Sequence, residues 1–110
     1  MNTIISKISE LLKGANDLIE FEEQVQISIY ELLTTLMGRV FTQLNQTIKR
    51  RMQSKGWTVE REDEKTIQFI FGAVCFTHTL MHDANGKAHY PFDEWIGFRK
   101  YQRHSPLVEV

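Results

Sequence analysis

Three residues have types and spacing that could bind zinc, namely Cys75, His78 and His82 in a C-x2-H-x3-H pattern. Thiolate and imidazole are preferred zinc ligands. Residues 74–82 alternate like a strand, however, and in a strand Cys75 points away from His78, while His78 and His82 lie about 13 Å apart at roughly 3.3 Å per residue. We therefore interpret Cys75 as a buried thiol and the histidines as surface or packed residues, and we predict neither a metal site nor a cofactor.

Two adjacent carboxylates, Asp93 and Glu94, could perform acid–base or metal chemistry if their environments separated their pKa values. No nucleophile motif or phosphate-binding glycine loop accompanies them. We interpret them as the beginning of a short turn or helix from Glu94 to Phe98, with Asp93 as its cap. The sequence thus predicts no catalytic residue, no small-molecule substrate and no enzyme within this chain.

Basic residues form two groups that could contact the phosphate backbone of DNA. Residues 36–55 contain no acidic residue, whereas residues 10–31 contain six. Basic side chains at the end of a helix also favour its dipole, so a solvated face remains the alternative. A second basic group before the last helix could join the first in space. The predicted DNA-binding residues are Lys49, Arg50, Arg51, Lys55, Arg99, Lys100 and Arg103.

Helical periodicity dominates residues 1–56. A short first helix ends at Gly14, and Asp17 with Glu20 forms a capping box for a second helix. If unbroken from residue 17 to residue 55, that helix is about 57 Å long. Either it bends at Gly38 into a hairpin, or its apolar stripe pairs with a second copy in a homodimer. The predicted dimerisation residues are Leu32, Leu36, Val40 and Leu44.

Strand patterns fill residues 57–104. We predict strands over 57–62 and 66–71 with a turn at Asp63–Lys65, and a turn or bulge at Gly72. A further strand leads to a tight hairpin at Asp83–Lys87, where Asn85-Gly86 favours positive φ. The aromatic residues expected in the core are Trp57, Phe69, Phe71, Phe76, Tyr90, Phe92, Trp95 and Phe98.

The end of the chain carries a helix-start signal, with Ser105 at the cap and Pro106 at the first helical position. Residues 105–110 are therefore expected to begin a truncated helix. The predicted fold class is α+β: N-terminal helices, one of them long (1–56), a small antiparallel sheet and turn (57–104), and the start of another helix. We expect residues 1–110 to form a single domain.

Composition limits the protein class. The 110 residues are 42% hydrophobic and 25% charged with a net charge of -1, which indicates a globular domain rather than an overall basic nucleic-acid binder. One cysteine permits no internal disulfide, and no apolar run reaches the roughly 18 residues of a membrane span. Without a secretory signal pattern, we expect a cytoplasmic protein with no membrane partner.

The order of several segments resembles the amino-terminal region of bacterial insertion-sequence transposases of the ISLre family. The segments that carry the resemblance are, in order, the acidic-to-basic helix, Lys55-Gly56-Trp57-Thr58-Val59, residues 65–76, the Asp83 to Tyr90 hairpin, Asp93-Glu94-Trp95-Ile96-Gly97-Phe98 and Tyr101-Gln102-Arg103-His104-Ser105-Pro106. The chain departs from the family at residues 77–80, where basic residues are usual. The resemblance implies a DNA-transposition protein whose catalytic region lies beyond Val110. This part would then contribute DNA binding, dimerisation or both. The alternative is a pure homodimerisation or protein-interaction module, or an inert gene remnant, with no DNA binding.

Overall fold

The fold combines helices with one small antiparallel sheet. A computed structural model describes residues 2–109. Its elements are α1 (Asn2–Gly14), α2 (Leu18–Ser54), β1 (Thr58–Phe69), β2 (Gly72–His82), β3 (Ala88–His89), α3 (Pro91–Ile96) and α4 (Pro106–Glu109). The predicted α+β class is confirmed. The chain divides into two compact units, one ending at Leu33 and the other beginning at Thr34.

The capping box at the beginning of α2 is present. The backbone N–H of Glu20 donates to the Asp17 carboxylate at 2.7 Å, and the Glu20 carboxylate accepts from the N–H of Asn16 at 3.1 Å. These bonds satisfy backbone donors that a helix leaves unpaired at its first turn. The predicted beginning of α2 and the end of α1 at Gly14 are therefore confirmed.

α2 does not break at Gly38. The helix continues to Ser54, and Gly38 is buried against β2. A Cβ atom at this position would lie 2.6 Å from the carbonyl oxygen of Cys75. Glycine therefore permits a close approach of the helix to the strand, which explains a residue that looks like a helix breaker in the sequence.

Opposite β1, α2 covers the part of the β2 edge, at Thr77 and Thr79, that precedes the pairing of β2 with β3. The hydroxyl of Thr42 accepts from the N–H of Thr77 at 3.1 Å, and the Asn45 carbonyl accepts from the N–H of Thr79 at 3.1 Å. The Asn45 amide also donates to the Thr79 hydroxyl at 2.9 Å. Side chains of the helix thus replace a missing strand, since buried backbone donors require partners.

The sheet has the order β1-β2-β3, and β1 is a single strand of 12 residues. The predicted turn at Asp63–Lys65 is wrong, because these residues pair with His78, Thr77 and Phe76 of β2. Two residues, Ile70 and Phe71, connect the strands before Gly72, whose φ is 136°. Charged side chains are tolerated within β1 because they form ion pairs with residues of α2 and α3: Glu62 pairs with Lys49, and Lys65 pairs with Asp93.

The hairpin between β2 and β3 is confirmed. The N–H of Asp83 donates to the carbonyl of Lys87 at 2.9 Å, and the Asp83 carboxylate accepts from the N–H groups of Asn85 and Lys87. Gly86 takes a φ of 83°, which favours glycine.

The core lies where α2, the sheet and α3 meet. Its buried members are Phe41, Ile48, Ile67, Val74, Phe76 and Phe92. Phe69, Phe71 and Phe98 pack against them as expected, but Trp95 is 58% exposed, so its predicted place in the core is wrong. The short α3 buries Phe92 and Asp93, whereas the exposed Trp95 ring packs on the outside of Phe92. Trp57 and Tyr90 are half-buried beside histidines rather than in the core.

Residues 103–105 pair with the outer edge of β1. The N–H of Gln68 donates to the carbonyl of Arg103 at 2.7 Å, and the N–H of Ser105 donates to the carbonyl of Gln68 at 2.8 Å. α4 then begins at Pro106, as predicted. The buried hydroxyl of Ser105 makes no hydrogen bond within residues 2–109, so the expected side-chain cap is not formed.

Candidate functional site

The first basic group lies at the end of α2 and consists of Lys49, Arg50, Arg51 and Lys55; we call it the helix basic group. Lys49 differs from the others, because its Nζ lies 2.9 Å from a carboxylate oxygen of Glu62 on β1 and its side chain is only 21% exposed. Arg50, Arg51 and Lys55 are exposed. Three of the four predicted contacts are therefore accessible to a partner, while the fourth binds the helix to the sheet.

Glu62 is the acceptor that holds Lys49. The hydrogen bond from Lys49 and a second from the amide of Gln46 at 3.1 Å lower the pKa of the Glu62 carboxyl below its ordinary value. A carboxylate that stays ionised near the protein surface keeps its ion pair over most of the pH range. The Lys49–Glu62 pair is thus a structural contact between α2 and β1.

The second basic group consists of Arg99, Lys100 and Arg103; we call the segment that carries it the 99–104 loop. All three side chains are exposed. Gln102 is 9% exposed and organises the loop from within. Its carbonyl oxygen accepts from the N–H of Arg99 at 2.9 Å, and its amide donates to the carbonyl of His104 at 2.8 Å. The loop is therefore held in one shape by its own glutamine and by β1.

Tyr101 stands at the tip of this loop. Its φ is 64°, and within residues 2–109 it is the one non-glycine residue with a positive φ. The side chain is 82% exposed, and the Nζ of Lys100 lies 5.2 Å from the ring centroid. Tyr101 is not among the residues predicted from the sequence to bind a partner, although its position between basic residues is a signal that the sequence carries.

The structure does not bring the two basic groups together. Lys55 lies just before Thr58, the first residue of β1, whereas Arg103 bonds Gln68 near its last residue. Ten residues separate Thr58 from Gln68, which corresponds to about 33 Å in a strand. A partner that contacts both groups must therefore span the length of β1.

The predicted dimerisation residues fall into two classes. Leu36 and Val40 are 47% and 44% exposed, and Leu32, in the first compact unit, is 41% exposed. Leu44 is partly buried and packs against the core. At about 100° per residue, Leu36 points roughly 160° away from Gly38, the residue that touches β2. The outer side of α2 thus presents apolar side chains that the sheet does not cover.

Three buried charged or polar side chains form a network beside α3. The Asp93 carboxylate lies 2.8 Å from the Nζ of Lys65 and 2.9 Å from the Nδ1 of His78, and the Tyr90 ring stacks on His78 at 4.0 Å. Burial raises the pKa of Asp93, but the hydrogen bonds of His78 and Lys65 outweigh it, so the net pKa is lowered. Asp93 therefore remains ionised inside the protein.

Asp93 is not the cap of α3, so that prediction is wrong. The cap position belongs to Tyr90, and Asp93 lies in the first turn with its carboxylate directed at the sheet. The side chains of Lys65, His78 and Asp93 are at most 12% exposed. Because a substrate has little access to them, we interpret the network as a structural connection between β1, β2 and α3.

The Cys75, His78 and His82 pattern does not form a common site. Cys75 is exposed, so its predicted burial is wrong: it points away from the core face to which Val74 and Phe76 contribute. The Nε2 of His82 lies 3.1 Å from Glu60 on the neighbouring strand. Among the residues that the structure describes, no group of three or more Cys, His, Asp or Glu side chains could hold a metal ion.

His89 forms a separate cluster near the hairpin. Its Nδ1 lies 2.7 Å from Glu94 and its Nε2 lies 2.9 Å from Asp83, while the Trp57 ring packs at 5.0 Å. The hydrogen bonds with Glu94 and Asp83 raise the pKa of His89 above its ordinary value. Glu94 is therefore a hydrogen-bond partner of His89 in β3 and does not form an acid pair with Asp93.

Comparison with known proteins shows the family. A family model described as an uncharacterised protein family, UPF0236, matches residues 11–110, from α1 to the end of the chain. The chain belongs to UPF0236. The "UPF0236 protein in vanSb 3'region" of Streptococcus gallolyticus is 26% identical over 104 residues, which cover 94% of this chain and 23% of that protein. The chain thus spans about a quarter of the length of this curated relative.

No solved structure gives a significant match to this UPF0236 chain. No helix within residues 2–109 is both long enough and apolar enough to cross a membrane.

Proposed function

We propose that this UPF0236 chain is the non-catalytic amino-terminal part of a transposase-like protein, which contacts DNA and pairs with a second copy of itself. The order of segments that resembles the ISLre transposases supports this proposal. The chain corresponds to 23% of its Streptococcus gallolyticus relative, so we assign the catalytic carboxylates to the remaining part of such a protein. We propose no catalytic role for Asp93 or Glu94.

The observation that supports DNA contact best is the exposure of three members of the helix basic group. Arg50 and Arg51 are exposed at the end of α2, and Lys55 follows in the turn into β1. Guanidinium and ammonium groups on a rigid element bind phosphate oxygens without reading bases. Contacts of this kind add affinity for any DNA sequence and fix the orientation of the protein on the duplex.

Removal of these charges tests the proposal. The triple variant R50Q/R51Q/K55Q should bind labelled duplex DNA more weakly, by a similar factor for element-end and unrelated sequences. Its slope of log affinity against log salt should be shallower by about 0.9 for each lost phosphate contact. The control is K7Q/K13Q, which removes two exposed charges of α1, against three in the triple variant. Equal affinities of the wild type and the triple variant would reject this assignment.

Self-association through α2 is the second part of the proposal. Leu36 and Val40 are exposed on the side of α2 that faces away from β2. A second copy suits this surface because the acidic residues precede position 32 and the basic residues follow position 38 in α2. An antiparallel, two-fold symmetric pair of α2 helices would therefore place unlike charges opposite each other.

The variant L36D tests this pairing, since a buried carboxylate in an apolar interface is strongly unfavourable. We expect a dimer mass for the wild type and a monomer mass for L36D in light scattering. The control L107D changes an exposed leucine outside α2 and should remain dimeric. A monomeric wild type, or a dimer that persists in L36D, would contradict the pairing. A dimer that binds no DNA would instead favour a pure dimerisation module.

A further inference from the structure

The 99–104 loop presents an aromatic ring that the fold does not need. Tyr101 is 82% exposed. Its backbone nevertheless has a φ of 64°, which residues other than glycine rarely adopt. Such a conformation persists only where the surroundings enforce it, and it is frequent at binding sites. Here Gln102 and the pairing of Arg103 with Gln68 supply that enforcement.

We propose that this loop binds unpaired nucleotides, with the Tyr101 ring stacked on a base and the neighbouring cations on the adjoining phosphates. The inference rests on the proposed contact of the chain with DNA and specifies a second, different type of contact. Arg99, Lys100 and Arg103 are all exposed within two residues of Tyr101. An aromatic face flanked by cations is the usual composition of a site for single-stranded nucleic acid.

The shape of the loop agrees with this assignment. Residues 99–104 line a concavity of about 360 Å³, which lies within the size range of small-ligand sites. The Nζ of Lys100 already lies over one face of the Tyr101 ring, 5.2 Å from its centroid, and the exposed side chain leaves the opposite face for a base. A phosphate bound by Lys100 would therefore place the attached base close to the ring.

Unpaired nucleotides fit better than an intact duplex. Both faces of a base inside a duplex are covered by its neighbours, so the ring could not stack there without opening the helix. The exposed members of the helix basic group, in contrast, are all basic side chains, namely Arg50, Arg51 and Lys55. Such side chains can bind phosphates without an aromatic ring. The two basic groups would thus contact single-stranded and double-stranded DNA respectively.

The test uses the 110-residue chain, fluorescein-labelled oligo(dT) and a duplex of the same length in fluorescence anisotropy. We expect Y101G to lose about 5- to 160-fold in affinity for oligo(dT), the range for one stacked base, and to bind the duplex like the wild type. Glycine accepts the positive φ, so this variant removes the ring and keeps the backbone. Y101F is the matched control and should retain wild-type affinity, because stacking does not need the hydroxyl.

Each outcome separates the two proposals. Unchanged oligo(dT) binding by Y101G would overturn the loop inference, and the helix basic group could still bind the duplex. Failure of the wild type to bind either DNA at low salt would reject both proposals. Binding to vesicles of anionic phospholipid without binding to oligo(dT) would also overturn the loop inference, since the same cations and ring would then recognise a lipid surface.

Discussion

The buried network beside α3 and the helix basic group both contain charged side chains, but in different surroundings. Lys65, His78 and Asp93 have side chains at most 12% exposed and each has a partner within the network. Arg50 and Arg51 are exposed on α2. Since a buried charge without a partner is very costly, the first set must serve folding, whereas the second is available for binding.

Lys49 lies between these two cases and shows why charge alone does not define a site. It belongs to the basic run of α2 by sequence, but its side chain is 21% exposed and paired with Glu62. We therefore expect a graded series of effects on stability, from the buried network through Lys49 to the exposed Arg50 and Arg51.

The largest effect is expected for Asp93. The variant D93A leaves Lys65 without its buried carboxylate, and breaking such a pair typically costs about 3–5 kcal/mol. Urea unfolding followed by circular dichroism should show this loss in the free energy of unfolding. The control E94A removes the adjacent, exposed carboxylate and should cost less than about 1 kcal/mol. A stable D93A protein that no longer binds DNA would instead place Asp93 in the binding site.

A smaller effect is expected for Lys49. The variant K49M should lower the free energy of unfolding by about 0.5 kcal/mol at neutral pH, which is typical of a pair near the surface. The control R50M should leave it unchanged. If R50M destabilises the protein as much as K49M does, the distinction between the paired and the accessible residues of this group fails.

The pH dependence of the Lys49 effect sharpens this test. Because the pKa of Glu62 is lower in the folded protein than in the unfolded chain, the pair contributes fully above the ordinary glutamate pKa of about 4.3. The contribution is lost as the pH falls through the lowered, folded pKa. The difference in stability between the wild type and K49M should therefore be present at pH 7 and shrink toward pH 3. A difference that stays constant would indicate lost packing rather than a lost ion pair.

Local signals in the sequence predicted α1, the beginning of α2 and the hairpin, because these features depend on neighbouring residues, whereas the side-chain caps predicted for α3 and α4 did not form. Asp17 and Glu20 cap α2, and Asp83 closes the turn before β3, as expected. The turn predicted at Asp63–Lys65 failed for a non-local reason. Asp63 accepts a hydrogen bond from Tyr90, and Lys65 pairs with Asp93, which lies 28 residues further along the chain. Partners at that distance make charged residues acceptable in a strand.

The candidate site was predictable in composition but not in arrangement. The basic residues are visible in the sequence, but the pairing of Lys49 with Glu62 and the separation of the two groups by β1 depend on the tertiary fold. Gly38 is a similar case: its role as a contact with the carbonyl of Cys75 requires the packing of α2 on β2. The positive φ of Tyr101 likewise follows from the anchoring of its loop and not from its residue type.

The most direct test of the proposed function is a titration of the wild-type chain into labelled duplex DNA at several salt concentrations. We expect binding that weakens linearly on a log–log plot with a slope of about −0.9 for each neutralised phosphate, hence about −3 if Arg50, Arg51 and Lys55 each contact one. Tighter binding to element ends would add sequence recognition to this contact. No binding at low salt, or an affinity independent of salt, would contradict the account.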